Sequence, residues 1–279
     1  MVRLPADVLE RYPRFSLYNS PYPAHDAGRA IDLYPETNDA PSPVAGTVTH
    51  VRTVRCPPKP YASDHDHLIV VDTDDALARI LHVDPGVAVG DEVAVGESLG
   101  EMVRSGFFAP WVDNHVHLGF RDRDADPVRA SGNRPLELGL DVRGVPWDGT
   151  GTVADTGETY VALDTPAHPS PGTFAALGSD DGRPLDGGIP HYRHGGVYET
   201  RGDGPLTLLD TPLGTPDGRD VTWAGVAVRA NDHPATGLSL FCGRDALSAK
   251  LVFADGHDFA VGDDVTVTLH VTDDPVRLD

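Results

Sequence analysis

Cysteine is nearly absent from this 279-residue chain: Cys56 and Cys242 are the only two, far apart and outside any CxxC pair. That excludes a disulfide-dense scaffold and a zinc-ribbon or thioredoxin-type motif, and leaves two free thiols in a reducing compartment as the expectation. Lysine is equally scarce. Lys59 and Lys250 stand alone, so arginine supplies nearly all of the 22 basic residues, against 43 acids, for a net charge of −21. A surface of that sign repels nucleic acid and anionic lipid, because both are bound through clustered Lys and Arg. Neither nucleic acid nor a membrane is an expected partner. Also missing is any window near the ~18 apolar residues of a membrane span. The opening run "MVRLPADVLERYPRFSLYNSPYP" has no apolar signal core, so a cytoplasmic protein is expected.

What the chain has in excess is aspartate, 35 against 8 glutamates. Charge so far from zero repels itself, and high salt screens that repulsion, so the Asp-rich, Lys-poor composition points to a halophilic host. Glycine (30) and proline (25) are frequent while hydrophobic residues still reach 39%. This balance suits short strands joined by turns, and the expected class is all-β.

Apolar runs of strand length, bounded by Gly, Pro, Asp and Ser, follow one another through the first half: "SPVAGTVTHVRTV" (42–54), "HLIVVD" (67–72), "ARILHV" (78–83), "VAVGDEVAVGESLGEM" (87–102) and "HVHLGF" (115–120). One short helix is expected at "PADVLER" (5–11), where a proline suits the first turn. Near residues 141–159 the texture shifts to Gly-, Thr- and Asp-rich turns. We therefore read an N-terminal extension (1–20), a first β domain (21–145) and a second β-sandwich-like domain (146–279). Its last run, "DDVTVTLHVTD" (263–273), alternates apolar and polar residues as a half-exposed antiparallel strand does.

Histidine placement in the first half carries the chemistry. His25 and Asp32 lie in "AHDAGRAID", His82 ends "ARILHV", and His115 and His117 bracket Val116 in "DNHVHLGF". On a strand, residues i and i+2 share a face, so His115 and His117 project together. Two imidazoles and a carboxylate form a known catalytic zinc set. It leaves a position for water whose pKa the metal lowers, and an unligated histidine nearby can move the proton.

The order His25, Gly28, Ala30, Asp32, then "SPVAGTV", "LHVDPGVAVGDEVAVGESLGEM" and "HVHLGF", resembles the lysostaphin-type (LytM-like) zinc metallopeptidases of the lysostaphin/D-alanyl-D-alanine peptidase superfamily. The resemblance covers roughly residues 20 to 122. It implies a lipoyl-like antiparallel sheet with "VGDEVAVGESLG" as a glycine-rich hairpin. It further implies Zn²⁺ held by His25, Asp32 and His117, with His115 as general base. His82 would orient the attacking water or stabilise the tetrahedral intermediate. The implied activity is a zinc metalloendopeptidase acting on a peptide or a peptide-containing polymer. Two features depart from the pattern. Six residues separate His25 from Asp32, a spacing closer to the "HxxGxAxD" of the D-alanyl-D-alanine branch, and Leu118 and Gly119 stand where Phe and Glu are common.

Duller readings apply to the remaining histidines, His50, His65, His67, His168, His233, His257 and His270, as surface or satisfied polar residues. His65 and His67 in "SDHDHLIVV" form a second HxH, and His191 and His194 in "PHYRHGG" another cluster. The alternative function is a non-catalytic binding module on the same scaffold, with the C-terminal β domain as an accessory. A lipoyl or biotin carrier is excluded because the hairpin has no lysine to carry the group.

Overall fold

The computed structural model of the chain describes residues 1–129, 132–199, 202 and 204–278. Its architecture is all-β, with large antiparallel sheets, and it divides into two compact units. The first comprises Met1–Phe15 with Arg29–Leu140, the second Ser16–Gly28 with Asp141–Asp279.

The first unit is built on six antiparallel strands in the order Ala30–Tyr34, Val116–Arg121, Leu77–Leu81, His65–Asp72, Gly46–Arg55 and Glu92–Val93. The inner strands are buried on both faces: Ile69, Val70 and Val71 are fully covered, as are Ile31, Leu33, Val116 and Leu118. Continuous Val/Ile/Leu runs, with few polar breaks, give strands of this kind. The run 89–100 does not close on itself as a hairpin. Glu92–Val93 pairs with Gly46–Thr47, whereas Ser98–Met102 joins a three-stranded sheet with Asp39–Pro41 and Val83–Pro85. The division follows burial: Val93 is covered in one sheet, Leu99 and Met102 in the other. The expected short helix forms at Ala6–Leu9, immediately after Pro5. Just before it, Val2–Pro5 pairs in parallel with Leu136–Gly139, which zips the two ends of the unit together.

The second unit carries a ten-stranded antiparallel sheet that runs from Asp220–Thr222 through His194–Val197, Leu185–Ile189, Gly237–Leu240, Lys250–Val252, Tyr160–Leu163, Thr150–Gly157, Asp264–Val271 and Val226–Ala230 to His233–Ala235. One apolar core serves it, with Trp147, Val161, Leu163, Leu185, Ile189, Trp223, Leu238 and Leu251 among its members. Each fully buried leucine or isoleucine there stabilises by about 2 kcal/mol. In Asp264–Val271, Val265, Val267 and Leu269 are buried and the residues between them exposed, the alternation read from the sequence. Both cysteines are free and buried. No helix among the described residues is long and apolar enough to cross a membrane.

Candidate functional site

Asp32 and His117 meet because the register of two neighbouring strands makes them partners: Ala30–Tyr34 and Val116–Arg121 pair with His117 opposite Asp32. His117 Nδ1 lies 2.9 Å from Asp32 Oδ1. His115, just before the same strand, brings its Nε2 to 3.4 Å from that oxygen. The two histidines therefore share a face, as their i, i+2 spacing requires. His25 completes the set: the candidate ligand atoms of His25, Asp32 and His117 all lie within 4.8 Å of one another, and they form the one group of this kind among the described residues. All three side chains are buried.

The protons on these rings follow from their partners. His25 Nδ1 is 2.8 Å from the Leu17 carbonyl and His115 Nδ1 is 2.9 Å from the Asp113 carbonyl. A carbonyl can only accept, so each Nδ1 carries the hydrogen and each neutral ring keeps its lone pair on Nε2. On either ring that lone pair can take a metal ion or a proton. Phe108 fixes the His115 ring further by stacking on it, with centroids 4.5 Å apart, and presents its edge region to His82 at 4.6 Å.

His82 sits one residue past Leu77–Leu81, at φ +70°, a left-handed conformation that turns it out of the strand. Its ring lies 5.1 Å from that of His115 and 5.8 Å from that of His117, centroid to centroid. Behind it stands Asp66, fully buried, a residue the sequence did not single out. The Asp66 carboxylate accepts from His82 Nδ1 at 2.6 Å, the His82 amide at 3.1 Å, the His67 amide at 2.7 Å and the Ser105 hydroxyl at 2.7 Å. Burial disfavours its charge, but the His82 charge and these hydrogen bonds outweigh burial and hold the carboxyl down at about 2. Strand parity gave no signal for it, because Ile69 and Val71, on the parity of His65, are buried as fully as Val70 on the parity of Asp66. Of the HxH of His65 and His67, His65 is exposed beside Asp64 and His67 is half-buried near Thr53 and Asp84.

A depressed carboxyl binds its proton later in the native state than in the unfolded chain. Its stabilisation is therefore complete above pH ~4 and lost as pH falls toward ~2. We expect Asp66→Asn to cost about 2 kcal/mol at pH 7, with the deficit closing below pH 3. Denaturant unfolding of both proteins across pH 2–7 checks this.

His25, Asp32, His82, His115 and His117 thus all occupy buried positions, with Asp66, Ser105 and Phe108 supporting them. No curated protein matches the chain. Its two halves match a pair of family models instead: the N-terminal domain of DUF8155, a domain of unknown function, over residues 3–138, and the DUF8155 C-terminal domain over residues 143–270.

Proposed function

We propose that the protein is a zinc-dependent hydrolase of peptide or amide bonds, in which His25, Asp32 and His117 hold the metal and His115 and His82 handle protons beside it. The supporting observation is the approach of His115 and His117 to a single oxygen of Asp32, at 3.4 and 2.9 Å, with His82 against both rings. The donor chemistry fits the ion: two imidazoles and a carboxylate, all buried, suit Zn²⁺ and leave a coordination position free. When bound, such an ion acidifies water and polarises a carbonyl.

The rest is done by the chain's own side chains. With its Nδ1 hydrogen held by the Asp113 carbonyl, His115 takes the proton of the attacking water on Nε2 and returns it to the departing amine. His82 donates Nδ1–H to Asp66, so the carboxylate balances an imidazolium whose Nε2–H can be given to the scissile oxygen as negative charge develops there. Phe108 covers both rings and keeps bulk water from them.

Metal analysis tests the assignment. Protein purified with ample zinc should hold about one ion per chain, and His25→Ala, Asp32→Ala and His117→Ala should each lose it. Retention of the full ion by these variants overturns the ligand set. A zinc-loaded wild type that cleaves no member of a broad peptide panel in high salt turns the reading to the binding module.

A further inference from the structure

The sheet face that carries Asp32 and His117 continues along the same strand to Gly119 and Arg121, and there it changes character. Gly119 pairs with Arg79 and Arg121 with Leu77, so the two arginines are diagonal neighbours on adjacent strands. Arg79 is 5% exposed and Arg121 2%. Burial lowers the proton affinity of both guanidiniums, and a like charge adds to it, Arg121 acting on Arg79 and the exposed Arg129 on Arg121; arginine stays charged in proteins, so two positive charges are enclosed together.

Among the described residues, neither guanidinium is in an ion pair with a carboxylate. Arg79 Nε donates to the Pro127 carbonyl at 2.7 Å, Arg121 Nε to Asn133 Oδ1 at 3.1 Å, and the Arg121 terminal nitrogens to the Asp126 and Arg129 carbonyls. Among the described residues, four neutral oxygens serve the two guanidiniums, and most of their ten N–H groups meet no acceptor there. Asp126, the acid whose charge acts on both, is itself exposed, with its carboxylate turned to the Val128 amide.

Asn133 supplies the second, independent observation. It is 6% exposed, its Oδ1 is taken by Arg121, and its Nδ2 is a buried donor with no acceptor. That nitrogen lies over Gly119, where a Cβ would come within 2.2 Å of it, so only glycine admits the amide at this point, directly across from Arg79. Donors from Arg79, Arg121 and Asn133 are thus gathered on one patch with a surplus of positive charge. Buried charge and buried donors both call for an acceptor.

We propose that Arg79, Arg121 and the Nδ2 of Asn133 bind a small monovalent anion of the halide type, which clamps Asp126–Arg129 and Asn133 onto the sheet. The charge surplus selects a negative ion, and enclosure selects a small one. The site is independent of the metal reading and stands or falls without it.

Thermal unfolding at fixed ionic strength, with sodium chloride exchanged for sodium gluconate, tests this. The wild-type midpoint should rise saturably by at least about 3 °C as chloride replaces the larger anion. Asn133→Asp places a carboxylate beside the arginines, so its midpoint should be raised in gluconate and no longer respond to chloride. Any general effect of the salts is common to both proteins. In bromide-soaked crystals an anomalous peak should lie within hydrogen-bond reach of Arg79 and Arg121. An equal chloride response in wild type and Asn133→Asp, identical wild-type midpoints in the two salts, or no bromide peak at this patch overturns the proposal.

Discussion

His115→Ala is expected to keep about one zinc per chain while its turnover falls about 10²- to 10⁴-fold, the range over which a positioned general base accelerates proton transfer. The fall should appear in kcat with KM little changed, since the imidazole acts on the proton being moved rather than on the bound substrate. His115 is the discriminating position because it lies so near to being a ligand. Its Nε2 is only 3.4 Å from the oxygen of Asp32 that His117 approaches at 2.9 Å. Distance alone does not separate the two histidines. Their ring partners do: His115 gives its Nδ1 hydrogen to the Asp113 carbonyl, whereas His117 turns Nδ1 itself toward Asp32. His117→Ala should therefore empty the site and abolish turnover together. Metal content and single-turnover rates measured on the same preparations check the contrast. Loss of zinc from His115→Ala would make that histidine a ligand and remove the assigned base.

The all-β class, the strands of the first half and the shared face of His115 and His117 were legible because each rests on a local pattern, whereas the grouping of His25, Asp32 and His117 came only from the family resemblance. Alternation, short apolar runs and the i, i+2 pair need no knowledge of distant residues. The glycine-rich strands Leu185–Ile189 and His194–Val197 escaped this reading for the opposite reason. "LDGGI" and "HGGV" have poor strand propensity, and what makes them strands is tertiary: a Cβ on Gly195 would sit 2.1 Å from the Trp223 ring. Asp66 escaped because its meaning depends on His82 and Ser105, 16 and 39 residues away. The resemblance implies a hairpin over 89–100, yet sheet partners at Gly46 and Asp39 divide that run. In each case the deciding contact is long-range, and a window of ten residues does not contain it.

In the second unit, two fully buried groups are expected to give opposite pH slopes that nearly cancel until one is removed. Asp186 accepts from the Ser16 hydroxyl at 2.7 Å and the Leu17 and Tyr18 amides at 2.6 and 3.1 Å, and so fastens the stretch that leads to His25. Burial nonetheless outweighs these bonds and lifts its carboxyl to about 6. The native state keeps that proton after the unfolded chain has released it, so stability falls as pH rises from ~4 to ~6, by about 3 kcal/mol in all. His191 behaves in the reverse sense. Burial holds it down at about 3, so the unfolded chain takes up a proton that the native state refuses, and stability falls as pH drops from ~6.5 toward ~3. Between pH 4 and 6 each group contributes a slope of about 1.4 kcal/mol per pH unit, with opposite signs. His191→Gln should therefore grow more stable relative to wild type as pH falls through this window, and Asp186→Asn less stable. Chemical denaturation at pH 4, 5 and 6, followed by tryptophan fluorescence, reads both differences. Asp186→Asn should also be the weaker protein at every pH in the window, because an amide has one acceptor oxygen where the carboxylate has two, and buried donors from Ser16, Leu17 and Tyr18 must compete for it. Parallel profiles for wild type and both variants would mean that neither buried group changes its proton affinity on folding.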